Sequence, residues 1–306
     1  MSNRSPPVHI ASPQVWPTWC LVGLGWVFAR LPWAALFPLG ELLGRLAFRL
    51  GGARRRITET NLRLCFPELD ATERQALARR VFEAVAQGAL ELCVAWLNPK
   101  RGRRHRVRVE GAEHFHAALA EGRGLVLLGA HFAVMDIIAA ELVNLGPVDV
   151  MYRKNRNPVW EWVQVRGRGH YFDGVLERKA LRPTLRALKA GRAIWYATDQ
   201  DYGPKHSVFA PFFGVPAATI TATAQLARHN GSPVLPMSQH RNAADRTWTI
   251  RFEPPLAGFP SGDTQRDAAA VNQIIEQAVR RRPEQYLWLH RRFKTRPSGA
   301  PRPYDP

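Results

Sequence analysis

The chain has 306 residues, enough for one large α/β domain or a modest domain with an appendage. Its three cysteines, Cys20, Cys65 and Cys93, are odd in number and lack Cys-x-x-Cys or Cys/His spacing, which excludes a disulfide framework and argues against structural zinc. A formal net charge of +18 favours an anionic partner (nucleic acid, a membrane surface or an acidic protein), and 10 Trp and 14 Phe among the arginines favour membrane.

In chain order, residues 5–29 carry no Asp, Glu, Lys or Arg, and "VWPTWCLVGLGWVFA" (15–29) is strongly apolar without a small-residue cleavage site after it. It reads as a single membrane anchor inside an N-terminal segment, 1–45. A perpendicular span needs roughly 20 apolar residues, and Arg30 comes early. A span over about 12–31 and an in-plane segment both fit, while a buried helical pair of a soluble protein is the plain alternative. Only Arg4 precedes the run, whereas Arg45, Arg49, Arg54, Arg55, Arg56 and Arg63 follow it, so the main domain is expected to face the cytoplasm.

A helical segment is expected over 46–100. Within it Asp70 and Glu73 form a capping box, and Val81, Phe82, Val85, Ala89, Leu92, Cys93 and Trp96 make one stripe on a long helix. After the basic linker "NPKRGRRHR", 101–297 alternates short apolar strands (106–111, 124–129, 148–152, 193–198, 233–238, 248–253) with helices (112–122, 132–146, 158–167, 180–191, 221–231, 267–282). That order predicts an α/β domain with a mainly parallel mixed sheet flanked by helices. Residues 298–306 read as a flexible tail.

Chemistry in such a sheet gathers where strands end. His131 follows the buried run "GLVLLG", with Asp136 five residues on. The chain holds three further His/carboxylate pairs at this spacing: His105/Glu110, His116/Glu121 and His240/Asp245. The first falls on opposite faces of a strand, the second about 140° apart on a helix, and the third in a polar loop. Only at His131 can a turn fold the carboxylate back under the ring to make a base for a hydroxyl. Arg153 and Lys154 follow the next strand and suit a phosphate or an oxyanion. Asp199 and Asp201 follow a later one and could orient an arginine, accept from substrate hydroxyls or, least well, bind a metal. The apolar loop "VFAPFFGVPAATIT" (208–221) suits the wall of a greasy cleft.

"GAHFAVMD", "MYRKNRNP", "WYATDQDYGPKHSVFAPFFGVPA", "PVLPM", "PEQYLWLHRRFKTRP" and "NLRLCFPEL" together resemble the lipid A biosynthesis late acyltransferases, lauroyl type, over about residues 15–297. The resemblance implies an enzyme of the inner membrane, facing the cytoplasm, that moves an acyl chain from acyl carrier protein to a hydroxyl on a hydroxyacyl chain of a Kdo-bearing lipid A precursor. Such a transfer from a thioester needs a base and oxyanion donors but no metal or other cofactor. It implies His131 as general base and Asp136 as its partner, and substrate-binding roles for Arg153 and Asp199, with Asp201 beside them. The broader glycerolipid acyltransferases share the His/Asp spacing, whereas many lipid A members carry Glu at the second place. Backbone N–H groups near 131–133, or a nearby basic side chain, are expected to stabilise the oxyanion. Partners are then the acyl carrier protein donor, the lipid A precursor and the anionic inner membrane, and not nucleic acid, for which no module is recognisable. Two other readings share these residues: acyl transfer to another membrane lipid such as a lysophospholipid or an amino-acid lipid, and a basic binding protein without activity.

Overall fold

The computed structural model describes residues 9–104 and 106–304, so residues 1–8 of the expected anchor, His105 and residues 305–306 of the expected tail lie outside the described residues. A 3-10 turn, Pro13–Val15, leads into α1 (Trp16–Phe28), α2 (Trp33–Leu50), α3 (Gly52–Cys65), α4 (Ala71–Leu97) and the short α5 (Pro99–Gly102). The long apolar stretch is therefore broken between α1 and α2. Pro32 is the N-cap of α2; it has no N–H to continue α1 and biases the residue before it away from helix. With 13 residues, α1 is about 20 Å long, against roughly 30 Å of bilayer hydrocarbon. Among the described residues no helix is long and apolar enough to cross a membrane, which corrects the expectation of a span over 12–31.

The capping box of α4 is present: Asp70 accepts from Glu73 N–H and the Glu73 side chain accepts from Asp70 N–H. Two glycines of α2 let α4 approach closely, since a Cβ on Gly40 or Gly44 would collide with Gln87 or Glu83. On its other side α4 passes the sheet, where Gly88 leaves room for the Ala133 carbonyl.

The α/β part runs β1 (Val107–Glu110), α6 (Ala112–Ala120), β2 (Leu125–Gly129), a 3-10 turn (Asp136–Ile138), α7 (Ala139–Leu145), β3 (Val148–Tyr152), α8 (Pro158–Arg168), β4 (Val175–Glu177) and α9 (Leu181–Lys189). It continues with β5 (Ala193–Ala197), β6 (Ser207–Phe212), β7 (Val215–Ile220), α10 (Ala222–Asn230), β8 (Val234–Asn242), β9 (Thr247–Phe252), α11 (Thr264–Arg281) and a 3-10 turn (Pro283–Gln285). Seven strands form one sheet in the order β1-β9-β8-β2-β5-β3-β4. All neighbours are parallel except β8 and β9, so the expected mainly parallel mixed sheet is the observed one. Register is set where Leu125 faces Ala193 and Val126 faces Val234. Every residue of β2 is buried, because helices cover both faces of a central parallel strand.

Besides the short strand β4, to which the sequence reading gave no element, three segments differ from it. The expected loop 208–221 is the antiparallel β6–β7 hairpin, turning at Phe213 and Gly214, both at positive φ. The expected helix 132–146 begins only at Asp136, because 131–133 pair with the C-terminal segment: Leu287 N–H donates to His131 O (2.9 Å) and Ala133 N–H to Gln285 O (2.6 Å). The tail from 298 is pinned through residue 304, where the Tyr304 hydroxyl bonds the Asn61 side chain and accepts from Phe293 N–H.

Candidate active site

The chain leaves β2 toward β3 on one side and leaves β5 toward β8 on the other, which opens a crevice beyond the carboxyl ends of β2 and β5. His131 stands two residues past β2, Asp199 two past β5 and Arg153 one past β3. The crevice is a cavity of 980 Å³. Met151, Leu185, Trp195, Ile220 and Leu226 contribute apolar walls, and Arg153, Arg178, Lys179 and Lys205 contribute cations.

His131 lines this cavity with its ring mostly covered. Its Nδ1 lies 2.7 Å from Asp199 Oδ1. A carboxylate only accepts, so Nδ1 carries the proton and Nε2 is the nitrogen left for the cavity. Asp199 is 1% exposed and also accepts from the His131 backbone N–H at 3.1 Å to each oxygen. Burial opposes the charged imidazole, but the charge and hydrogen bond of Asp199 outweigh burial and the repulsion of Arg168, so the His131 pKa is raised. Burial likewise opposes the Asp199 carboxylate. The charge and hydrogen bond of His131 and the charge of His290 nevertheless hold its pKa below the usual carboxylate range. His290 itself is shifted down by burial, with Asp199 opposing and His131 adding to the effect; its Nδ1 donates to Leu287 O at 2.7 Å.

Asp136 is placed differently from the expected fold-back. Fully buried, it accepts from Arg168 Nε (2.8 Å) and Nη2 (3.2 Å) and from Trp96 Nε1 (2.7 Å). The pairing of 131–133 with Gln285–Leu287 keeps the chain extended past the histidine, so the carboxylate starts the 3-10 turn facing α4 and α8. Asp136 thereby orients Arg168, a cavity-lining residue of α8 that the sequence reading did not single out. Nothing local distinguishes Arg168 from Arg166 in the sequence, and only the packing of α8 on α4 turns one inward.

The other expectations divide. Arg153 is exposed at the cavity rim. Asp199, expected to touch substrate, is the partner of the histidine. Asp201, expected beside the substrate, has its carboxylate taken by Thr295 N–H (2.6 Å), Thr295 Oγ1 (2.9 Å) and Gly203 N–H (2.8 Å), and so ties down the C-terminal segment. The backbone N–H groups of 131–133 are all engaged: His131 with Asp199, Phe132 with Ala130 O (3.0 Å) and Ala133 with Gln285 O. None of these three N–H groups is left over to serve as an oxyanion donor. In the "YLWLHRRFK" block, Arg292 is buried and donates to Ala218 O (2.8 Å) and Thr219 Oγ1 (3.2 Å), so it braces β7. Among the described residues no group of three or more His, Cys, Asp or Glu side chains is arranged to hold a metal ion.

The family model described as "Bacterial lipid A biosynthesis acyltransferase" matches residues 6–295. The chain is 39% identical to the lipid A biosynthesis lauroyltransferase of Escherichia coli (strain K12), over 95% of this chain and 96% of that one. It is 38% identical to the lipid A biosynthesis palmitoleoyltransferase of the same strain, over 94% of each. A lipid A biosynthesis acyltransferase of Haemophilus influenzae is 33% identical over 97% of this chain and 96% of that one. Among solved structures, the 1-acyl-sn-glycerophosphate acyltransferase PlsC of Thermotoga maritima matches with a TM-score of 0.35 and 19% identity, over 79% of this chain and 94% of that one. With its family model and its relatives matched over nearly the whole length, the chain belongs to the bacterial lipid A biosynthesis acyltransferase family and is an acyltransferase.

Proposed function

We propose that this lipid A biosynthesis acyltransferase moves a lauroyl-type chain from the thioester of acyl carrier protein to a hydroxyl on a hydroxyacyl chain of a Kdo-bearing lipid A precursor. The observation that carries this reading is His131, made more basic by Asp199, at the wall of a cavity that joins apolar walls to a cationic rim. A long acyl chain suits the walls, and a phosphorylated, acidic-sugar acceptor suits Arg153, Arg178, Lys179 and Lys205.

In this mechanism His131 Nε2 takes the acceptor proton as the hydroxyl oxygen attacks the thioester carbonyl carbon and a C–O bond forms. The carbonyl oxygen becomes an oxyanion, and Arg168, aimed by Asp136 and Trp96, supplies the positive charge that stabilises it. Collapse breaks the C–S bond, and the imidazolium returns its proton to the departing thiolate. Asp199 keeps the ring in the Nδ1–H tautomer and accompanies its positive charge.

The arrangement proposed for the chain is a membrane seat over 1–45, a helical segment over 46–100 and the catalytic α/β part over 101–297. The seat lies in one leaflet of the inner membrane on its cytoplasmic side. Support comes from Trp16, Leu21, Leu24, Trp26 and Val27 of α1 and Trp162 and Val165 of α8, all exposed, with Trp19 packed on Trp162 at 5.7 Å to join the two helices. Arg30 lies over the Trp26 ring and Arg166 over the Trp162 ring, cations suited to anionic headgroups. Leu181 of α9 is exposed and also lines the cavity, adding an apolar side chain at its wall.

The test is acyl transfer in detergent, read by mass spectrometry, with acyl carrier protein donors of several chain lengths and the Kdo-bearing precursor. The wild type is expected to add a dodecanoyl mass to the precursor. The folded His131→Ala variant is expected to lose about 10²- to 10⁴-fold in rate. Near-normal turnover by that variant would remove His131 as the base, and acylation of a lysophospholipid in place of the precursor would move the acceptor.

A further inference from the structure

From Tyr286 to Tyr304 the chain carries Arg291, Arg292, Lys294, Arg296 and Arg302 and no Asp or Glu. Arg292 is buried in the core, whereas Arg291, Lys294 and Arg302 are exposed and Arg296 is half-buried. These four line a cleft of 530 Å³ together with Thr295 and Tyr304. Arg54 of α3, also exposed, donates to Leu289 O at 2.9 Å and extends the same basic surface.

This surface is held rigid. Thr295 is tied to Asp201, Arg296 Nη1 donates to Pro216 O at 2.6 Å, and Tyr304 anchors on Asn61, so a partner would not have to order it. It is also close to the chemistry. Thr295 N is 2.6 Å from Asp201, Asp201 is two residues from Asp199, and Asp199 is 2.7 Å from His131. With two residues spanning at most about 7 Å, the inner end of the cleft lies on the order of 20 Å from the imidazole, within reach of an extended pantetheine arm. The exposed large apolar side chains lie on α1, α2, α8 and α9, with none among the described residues from 264 to 304. A bilayer wants charge and apolar side chains together, and this cleft offers charge alone.

We infer that the cleft at Arg291, Lys294, Arg296 and Arg302 is the docking surface for an acidic protein, the carrier that delivers the thioester to His131. The inference rests on the carrier-donor reading above. Opposite charges steer the carrier onto the cleft, and its arm then reaches around the segment tied by Asp201 into the cavity.

The test uses the full chain with Arg291→Glu and Lys294→Glu combined, and the same two positions changed to Gln as a gentler pair. Steady-state constants are measured with an acyl carrier protein thioester and with acyl-pantetheine, which lacks the acidic protein. Binding of fluorescent carrier protein is measured without turnover. Charge reversal is expected to raise KM for the carrier thioester by about tenfold or more, to weaken direct binding by the same factor, and to leave kcat and the pantetheine donor unmoved, with the Gln pair intermediate. Normal KM and carrier binding in both pairs would overturn the docking surface while the carrier-donor reading stands. Equal changes with both donors, or loss of anionic-vesicle binding with carrier binding intact, would also overturn it. A wild-type protein that uses acyl-pantetheine but neither binds nor uses the carrier thioester would overturn both.

Discussion

An imidazole withdrawn from water loses basicity, and at His131 a carboxylate 2.7 Å from Nδ1 reverses that loss. In the proposed mechanism the neutral ring is the base, so activity is expected to fall as pH drops through the raised pKa. The acid limb of kcat/KM is therefore expected above the ordinary histidine value of about 6.5. A second expectation concerns Arg168. Lysine there cannot reproduce the two-point bond to Asp136, so Arg168→Lys should lower kcat by about 10²- to 10³-fold with KM little changed, as measured by steady-state kinetics. Much of this site was legible in the sequence, and its pairing was not. His131 and Asp199 each announce themselves as polar residues at the end of an apolar strand, but they are 68 residues apart, and only the parallel pairing of β2 with β5 brings them together. Asp136 misled because spacing alone cannot tell whether a strand end passes directly into helix. Here Gln285–Leu287 holds the turn extended, and Arg168 and Trp96 hold the carboxylate.

The elements that hold the site are as telling as the site itself. α4 packs on α2, brings Trp96 to Asp136, buries Glu91 against Arg241 of β8, and passes so near the turn after His131 that a Cβ at position 88 would overlap Ala133 O. Gly88→Ala must therefore shift the turn or the helix. It is expected to cost about 1–3 kcal/mol in denaturant unfolding and to reduce turnover, whereas an unchanged unfolding midpoint would show that α4 does not brace the turn. The sequence showed α4 clearly through its capping box and apolar stripe. It hid the β6–β7 hairpin. Pro211 and Pro216 face each other in that ladder, and the turn is made by Phe213 and Gly214 in place of the Asn-Gly or Asp-Gly pair that normally marks a two-residue turn. The three-residue edge strand β4 is too short for any period to register.

At the scale of the whole molecule, the exposed large apolar side chains gather on α1, α2, α8 and α9, and among the described residues none lies in the basic cleft at 291–304. α1 and α8 present exposed tryptophans beside Arg30 and Arg166, a surface suited to the leaflet contact proposed above. Replacing Leu24 and Trp26 by serine is expected to weaken binding to anionic vesicles by about tenfold or more, measured by cosedimentation, with the fold unchanged because both side chains already lie outside the core. The sequence carried the apolar stretch and the arginines that follow it. What the sequence did not show is the break at Pro32, which converts one long run into two helices of 13 and 18 residues. The most direct test of the account is the pH dependence of acyl transfer by the wild type, Asp199→Asn and Asp136→Asn. If Asp199 is the partner of the base, Asp199→Asn lowers the plateau and moves the acid limb to lower pH, and Asp136→Asn lowers the plateau through Arg168 with a smaller movement of the limb. A limb that moves with Asp136→Asn and stays in place with Asp199→Asn would contradict it.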